Sequence, residues 1–193
     1  MSDYLRRLPI GQRVSTAPLT RDELWPFDAD LETVPLAEPQ LPEPARAGAN
    51  GADCPVCAPS PAWEVWRDDS WVLRIPPEPS GLPIIAVLQP LAHHDLEAMP
   101  ADLVANLGPM IQRVARAIAA LDDVGRVHVN RWGDGSEHFH VWFLARPRGM
   151  LQLRGALLAA WDDLLPKVPQ DEWDANRAAV VANLAAGGGE VWR

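Results

Sequence analysis

The clearest apolar pattern in the chain runs over residues 101–121. Leu103, Leu107, Ile111, Val114, Ile118 and Leu121 recur at helical spacing and predict one long amphipathic helix. Pro109 lies inside it and is expected to kink or split it. Two further helices are expected over 150–165 and 170–186, the first stopping before Pro166 and the second at Gly187-Gly188-Gly189. Short β-rich runs fill the middle of the chain. Trp63–Trp66 and Trp71–Ile75 flank the polar turn Arg67-Asp68-Asp69-Ser70 and read as a hairpin. Ile84–Leu88 is continuously apolar, as a central strand is, and Val127–Asn130 and His138–Leu144 complete the set around a polar loop at 131–137. Hairpin-like strands, one long helix between them and helices at the end argue an α+β fold with a mainly antiparallel sheet.

The first 50 residues are different. Prolines punctuate them, and PLAEPQLPEPARAGANGAD reads as an extended Pro-rich arm running into a flexible link. Thr20–Glu23 starts like a capped turn that Pro26 ends, and Leu24, Trp25 and Phe27 are the arm's apolar anchors. The division expected is a Pro-rich arm over 1–50, a folded domain over 51–148 and a helical extension over 149–193 packing on that same domain.

At 193 residues and 48% hydrophobic composition the chain is long and apolar enough to bury a core. Its formal net charge of -9 argues against broad electrostatic binding to nucleic acid, while leaving room for a small nucleotide. No apolar run approaches the roughly 20 residues of a membrane span, and the opening MSDYLRRLPIGQRV lacks a signal-peptide core, so a cytoplasmic protein with no membrane partner is expected.

All five histidines lie at 93, 94, 128, 138 and 140, and the two cysteines at 54 and 57. Cys54-Pro55-Val56-Cys57 is a metal half-site or a redox pair; zinc needs two more ligands, and His93, His94 and His138 are available. His138-Phe139-His140, taken as a strand, puts two imidazoles on one face. They are surface histidines or part of a site. Gly135 and Ser136 before them and Asn130 at the end of the previous strand supply the neutral donors an anion needs. A histidine nucleophile beside such donors suits nucleotidyl transfer. His128 shares a face with Asn130 and is a site residue or a core histidine. Trp63, Trp66, Trp71, Trp132 and Trp142 are core residues or a stacking platform for a base, with Trp132 set apart by its place in the loop. Arg131 and Arg146 neutralise phosphate or are ordinary surface charges, and no catalysis is assigned to Asp122, Asp123, Asp162 or Asp163.

These residues resemble the histidine triad (HIT) superfamily. The segment His138-Phe139-His140-Val141-Trp142-Phe143-Leu144-Ala145-Arg146-Pro147 follows the family's alternating motif, Asn130, Gly135 and Ser136 match its neighbouring positions, and Pro90-Leu91-Ala92-His93 matches its Pro-x-x-His. The resemblance spans about residues 54–147 and departs at the third triad position, where Trp142 replaces histidine. It implies a HIT-like sheet-and-helix domain, His140 as catalytic nucleophile, Asn130, Gly135, Ser136 and Trp142 as substrate-binding residues, and structural zinc on Cys54, Cys57, His93 and His138. The activity implied is hydrolysis or transfer of a nucleotide or nucleotide conjugate through a nucleotidyl-histidine, in a chain that pairs as a homodimer. Indole can donate a hydrogen bond but cannot act as acid or base. The alternative is therefore a catalytically weakened nucleotide-binding or scaffold protein that keeps its structural zinc.

Overall fold

The computed structural model describes residues 9–15, 32–35, 37–58 and 60–192. The chain divides into two compact units, Met1–Ala45 and Arg46–Arg193. In the first, Arg13 donates to Glu32 and to the Thr33 carbonyl, and the Thr33 hydroxyl bridges the Val14 amide and carbonyl. The expected turn at Thr20–Glu23 and the anchors Leu24, Trp25 and Phe27 lie outside the described residues.

The second unit is built on six antiparallel strands: β1 (Glu64–Arg67), β2 (Trp71–Arg74), β3 (Ile85–Pro90), β4 (Val124–Asn130), β5 (Val141–Pro147) and β6 (Glu190–Val191). Their order across the sheet is β4-β5-β3-β2-β1-β6. Asp68 starts the β1–β2 hairpin by accepting from the Ser70 and Trp71 amides, which explains why the polar turn read correctly. Among the described residues three α-helices accompany the sheet: α1 (Ala101–Ala119), α2 (Leu158–Leu164) and α3 (Gln170–Ala185).

Register sorts the strand residues by face, because directly opposed residues share one. Leu73, Ala86, Leu88, Phe143 and Ala145 belong to the face covered by Met110, Val114 and Ile118 of α1 and by Trp173, Val180 and Leu184 of α3. The other face carries Arg74, Ile85, Val87, Gln89, Trp142 and Leu144, and it is only partly covered. That uncovered face holds the site.

Several boundaries differ from the sequence reading. Of the two outcomes expected at Pro109, the split does not occur: α1 runs through it as one helix. Pro109 and Ala105 are both exposed, so the carbonyl deprived of its N–H partner is hydrated rather than buried. The stretch 150–165 is not one helix: Gly149 and Gly155 both take φ of +79°, and only Leu158–Leu164 is α-helical. Strand β5 starts at Val141, not His138, because the amide of Phe139 is already bonded to the His94 carbonyl and that of His138 to the Ser136 hydroxyl. The two-residue strand β6 escaped the pattern altogether. It is held by Trp192, whose amide donates to Val65 and whose ring lies 3.6 Å from the Arg67 guanidinium carbon. Among the described residues no helix is long and apolar enough to cross a membrane.

Pro109 generates a stability prediction. Pro109→Ala restores a donor to the Ala105 carbonyl at an exposed position and should stabilise the protein by about 1–3 kcal/mol. Urea denaturation followed by tryptophan fluorescence checks it; an unchanged or lower midpoint contradicts this account of the helix.

Candidate functional site

The site begins with a cluster of four side chains drawn from three separate segments. The ligand atoms of Cys54, Cys57, His93 and His138 all lie within 4.8 Å of one another. His138 Nδ1 is 3.6 Å from Cys54 Sγ and 3.4 Å from Cys57 Sγ, and His93 Nδ1 is 3.5 Å from Cys57 Sγ. Zinc–sulfur and zinc–nitrogen bonds at a tetrahedral angle place sulfur and nitrogen about 3.5 Å apart. The three separations agree with that value, and two thiols with two imidazoles are the donor set of a structural zinc site. Both cysteines are free thiols, so no disulfide competes. The redox alternative leaves the two histidines unexplained; zinc accounts for all four residues.

Local structure prepares each donor. Gly48 has φ of +76°, and a Cβ there would meet Cys54 Cβ at 2.9 Å, so only glycine lets the chain fold over the buried thiol. The Pro90 carbonyl accepts from His138 Nε2 at 2.9 Å, which fixes the tautomer and turns the Nδ1 lone pair to the sulfurs. Burial pushes the His138 imidazole below its ordinary pKa, outweighing the Pro90 carbonyl, and His93, Arg74 and His140 add to the effect. A neutral imidazole is the form that ligates. Burial also pushes the Cys57 thiol up, as does its hydrogen bond with Cys54; a bound cation reverses that preference. The choice between His93 and His94 resolves by geometry. His93 faces the cluster, whereas His94 contributes its carbonyl to the Phe139 amide.

His140 stands next to this cluster but outside it. Its Nδ1–H donates to the His138 carbonyl at 2.9 Å, so Nε2 carries the free lone pair. His140 lines a cavity of about 580 Å³ together with Gly135, Ser136, Trp132 and Trp142. Ser136 accepts the His138 amide at 3.2 Å through its hydroxyl oxygen. The Trp132 and Trp142 rings are 6.4 Å apart and tilted by 57°. Trp63 also lines the cavity, whereas Trp66 and Trp71 are fully buried core residues, so the sequence set of tryptophans divides between the two roles. Asn130 is opposite Trp142 in the β4–β5 register but is not among the lining residues. His128 lines a different cavity.

Other participants had no short motif to reveal them. Arg74, Gln89 and Asp162 line the same cavity. Arg74 pairs with Glu64 at 2.9 Å, both nearly buried, and Gln89 Oε1 is buried without a partner. Asp162 accepts from the Gly81 and Leu82 amides, and burial holds its carboxyl above the ordinary range despite those bonds and one from Ser80. Asp95 is the clamp of the 131–136 loop. Its oxygens meet Arg46 at 2.6 Å and Arg131 at 2.7 Å, and Arg46 also donates to the Gly133 carbonyl. Burial works to raise the Asp95 carboxyl, but the Leu96 amide and the two guanidiniums hold it below its usual range. Arg131 is thereby committed to the loop's geometry.

No protein-family model matches the sequence, and no curated protein matches it. Solved structures do match in fold. A histidine triad protein from Bradyrhizobium japonicum aligns with a TM-score of 0.51 at 15% identity, over 63% of this chain and 89% of that one. A histidine triad protein from Sinorhizobium meliloti aligns at 0.49 and 14% identity, over 62% and 87%. A zinc-bound histidine triad family protein from Mycobacterium smegmatis aligns at 0.46 and 19% identity, over 66% and 89%. The fold is the histidine triad fold.

The metal site is checked by composition and by stability. Protein purified without added metal should carry close to one zinc per chain, and Cys54→Ser should lose both the metal and thermal stability. A strong chelator should lower the melting temperature of the parent and leave Cys54→Ser unmoved, because the ligands fold around the ion. Metal-free parent protein that melts like the variant contradicts the assignment.

Proposed function

We propose that the chain transfers or hydrolyses nucleotidyl groups through a covalent adduct on His140. The observation that carries this reading is the His140 tautomer: a donated Nδ1–H leaves the Nε2 lone pair on a side chain that lines the tryptophan-rich cavity. In the first step Nε2 attacks the α-phosphorus of a nucleotide or nucleotide conjugate, an Nε2–P bond forms and the bond to the leaving group breaks. The imidazole gains positive charge, and the His138 carbonyl already holding Nδ1–H stabilises it. Ser136 and the loop backbone at Gly135 are the donors proposed for the non-bridging oxygens, with Asn130 beside Trp142 as a further one. In the second step water or an acceptor hydroxyl attacks phosphorus, gives up its proton and displaces Nε2.

Structural zinc, where bound, supplies rigidity and no chemistry to these steps. His138 holds its ring in the cluster and offers its carbonyl to His140, so the two histidines have separate tasks. On this reading residues 51–148 carry the reaction, the helices over 149–193 pack on that same domain, and the chain works as a homodimer.

Trp142 supports the second reading, a nucleotide-binding protein with weakened turnover. Its indole can hold a phosphate oxygen but has no proton to give a leaving group. Activated or nitrogen-linked nucleotides should accordingly turn over better than simple dinucleotides.

Two variants separate the readings. Incubation with nucleoside phosphoramidates, dinucleoside polyphosphates and nucleotide sugars, followed by intact mass measurement, should reveal a nucleotidyl adduct that His140→Ala abolishes at unchanged zinc content. Trp142→His should raise turnover, since general acid help is worth about 10²–10⁴-fold. No adduct with any of these compounds, and no gain in Trp142→His, replaces the enzyme with the binding protein.

A further inference from the structure

A second cavity of about 560 Å³ lies on the same face of β5, beyond Leu144, and is unlike the first. Its lining includes Arg126, His128, Arg146, Arg148 and Arg154, with Gly125 and Gly149 among the rest. Arg146 lies on the strand face of Trp142, about 13 Å further along. Four guanidiniums thus converge on one space in a chain whose formal net charge is -9.

The register makes this convergence costly. Arg126 and Arg146 are directly opposed across β4 and β5, a like-charge arrangement that destabilises a sheet. Among the described residues no carboxylate lies within ion-pair distance of Arg126, Arg146 or Arg148. Arg146 is 6% exposed, and its Nε is buried with no hydrogen-bond partner. Its Nη1 alone is used, donating to the Pro147 and Met150 carbonyls, which locks the guanidinium in place. Gly125 lets it pass: a Cβ there would meet Arg146 Nη2 at 2.9 Å and Arg148 Cα at 3.0 Å. A rigid, desolvated guanidinium facing a second one, with no acid to neutralise either, is a site waiting for an anion.

We propose that this cavity binds a compact polyphosphate, a diphosphate or triphosphate chain, independently of the His140 site. Several guanidiniums around one space match an anion carrying several charges better than a single carboxylate. No tryptophan, tyrosine or phenylalanine lines the cavity, Leu151 is its one large aliphatic, and the imidazole of His128 is its one ring, so the lining is dominated by guanidiniums rather than by a stacking platform. The ligand's recognised part is the phosphate chain itself.

The test uses inorganic pyrophosphate and tripolyphosphate in low-salt, phosphate-free buffer, titrated calorimetrically into the zinc-loaded full chain carrying His140→Ala. One equivalent should bind per chain, with affinity that falls as salt rises. Arg126 is exposed, so Arg126→Glu should fold, and it places a carboxylate opposite Arg146. That change should weaken pyrophosphate binding at least about tenfold and raise the melting temperature, because the repelling pair becomes an attracting one. Arg148→Gln, tested alongside, should weaken binding without that gain in melting temperature. Absence of binding by the parent, or equal binding by parent and Arg126→Glu at retained zinc content, overturns the proposal.

Discussion

The convergence of Cys54, Cys57, His93 and His138 is the constraint on which the rest of the site depends. These residues come from a loop before the sheet, the segment after β3 and the segment before β5, and no strand pairing links all three. The cluster does so through side chains. Its fourth member has a double attachment: the His138 ring is held by the sulfurs and the Pro90 carbonyl, while the His138 carbonyl holds His140. The orientation of the His140 imidazole is therefore transmitted through one residue. The His138 carbonyl selects the His140 tautomer by accepting from Nδ1–H.

Around that centre, polarity is distributed by face. One side of the sheet is sealed by α1 and α3 and is almost wholly apolar. The other carries Arg74, Gln89, Trp142 and Arg146 between aliphatic residues, and both cavities discussed above open there. Buried polar groups on that face are kept in place by specific bonds, such as Glu64 to Arg74, while Gln89 Oε1 and Arg146 Nε remain without partners. Such orphans cost stability. They are not confined to this face: Trp71 Nε1 and Arg113 Nε are unpartnered on the helix-covered side.

The parts legible in the sequence share one property: their signal is local. The C-x-x-C spacing, the His-x-His pair and the Gly-Ser turn are each a few residues long, and the helical period of α1 extends over several turns. Even His138, legible as a metal ligand, was misread with His140 for its backbone, since the amide bonds to His94 and Ser136 that delay β5 are tertiary or depend on a side chain. Arg74, Gln89 and Asp162 carried no local signal. A polar residue within an apolar strand reads as a solvent-facing position, and only the fold shows that solvent is displaced there by α2 and the loops. The breaks at Gly149 and Gly155 were legible in principle as glycines, but an apolar run across them outweighed their signal.

The C-terminal helices have a consequence for where this chain can be shortened. Asp162 of α2 is the acceptor for the Gly81 and Leu82 amides, and Trp173 of α3 donates to the Pro76 carbonyl at 2.8 Å. Trp192 continues the backbone ladder onto β1. A protein ending at Arg148 would keep every metal ligand and His140, yet it would strand the amides of the turn leading into β3 and uncover Trp66. The histidine motif and the folding unit thus have different boundaries. Trimming the chain to the motif would yield an incomplete sheet, prone to recruit a replacement edge from its neighbours.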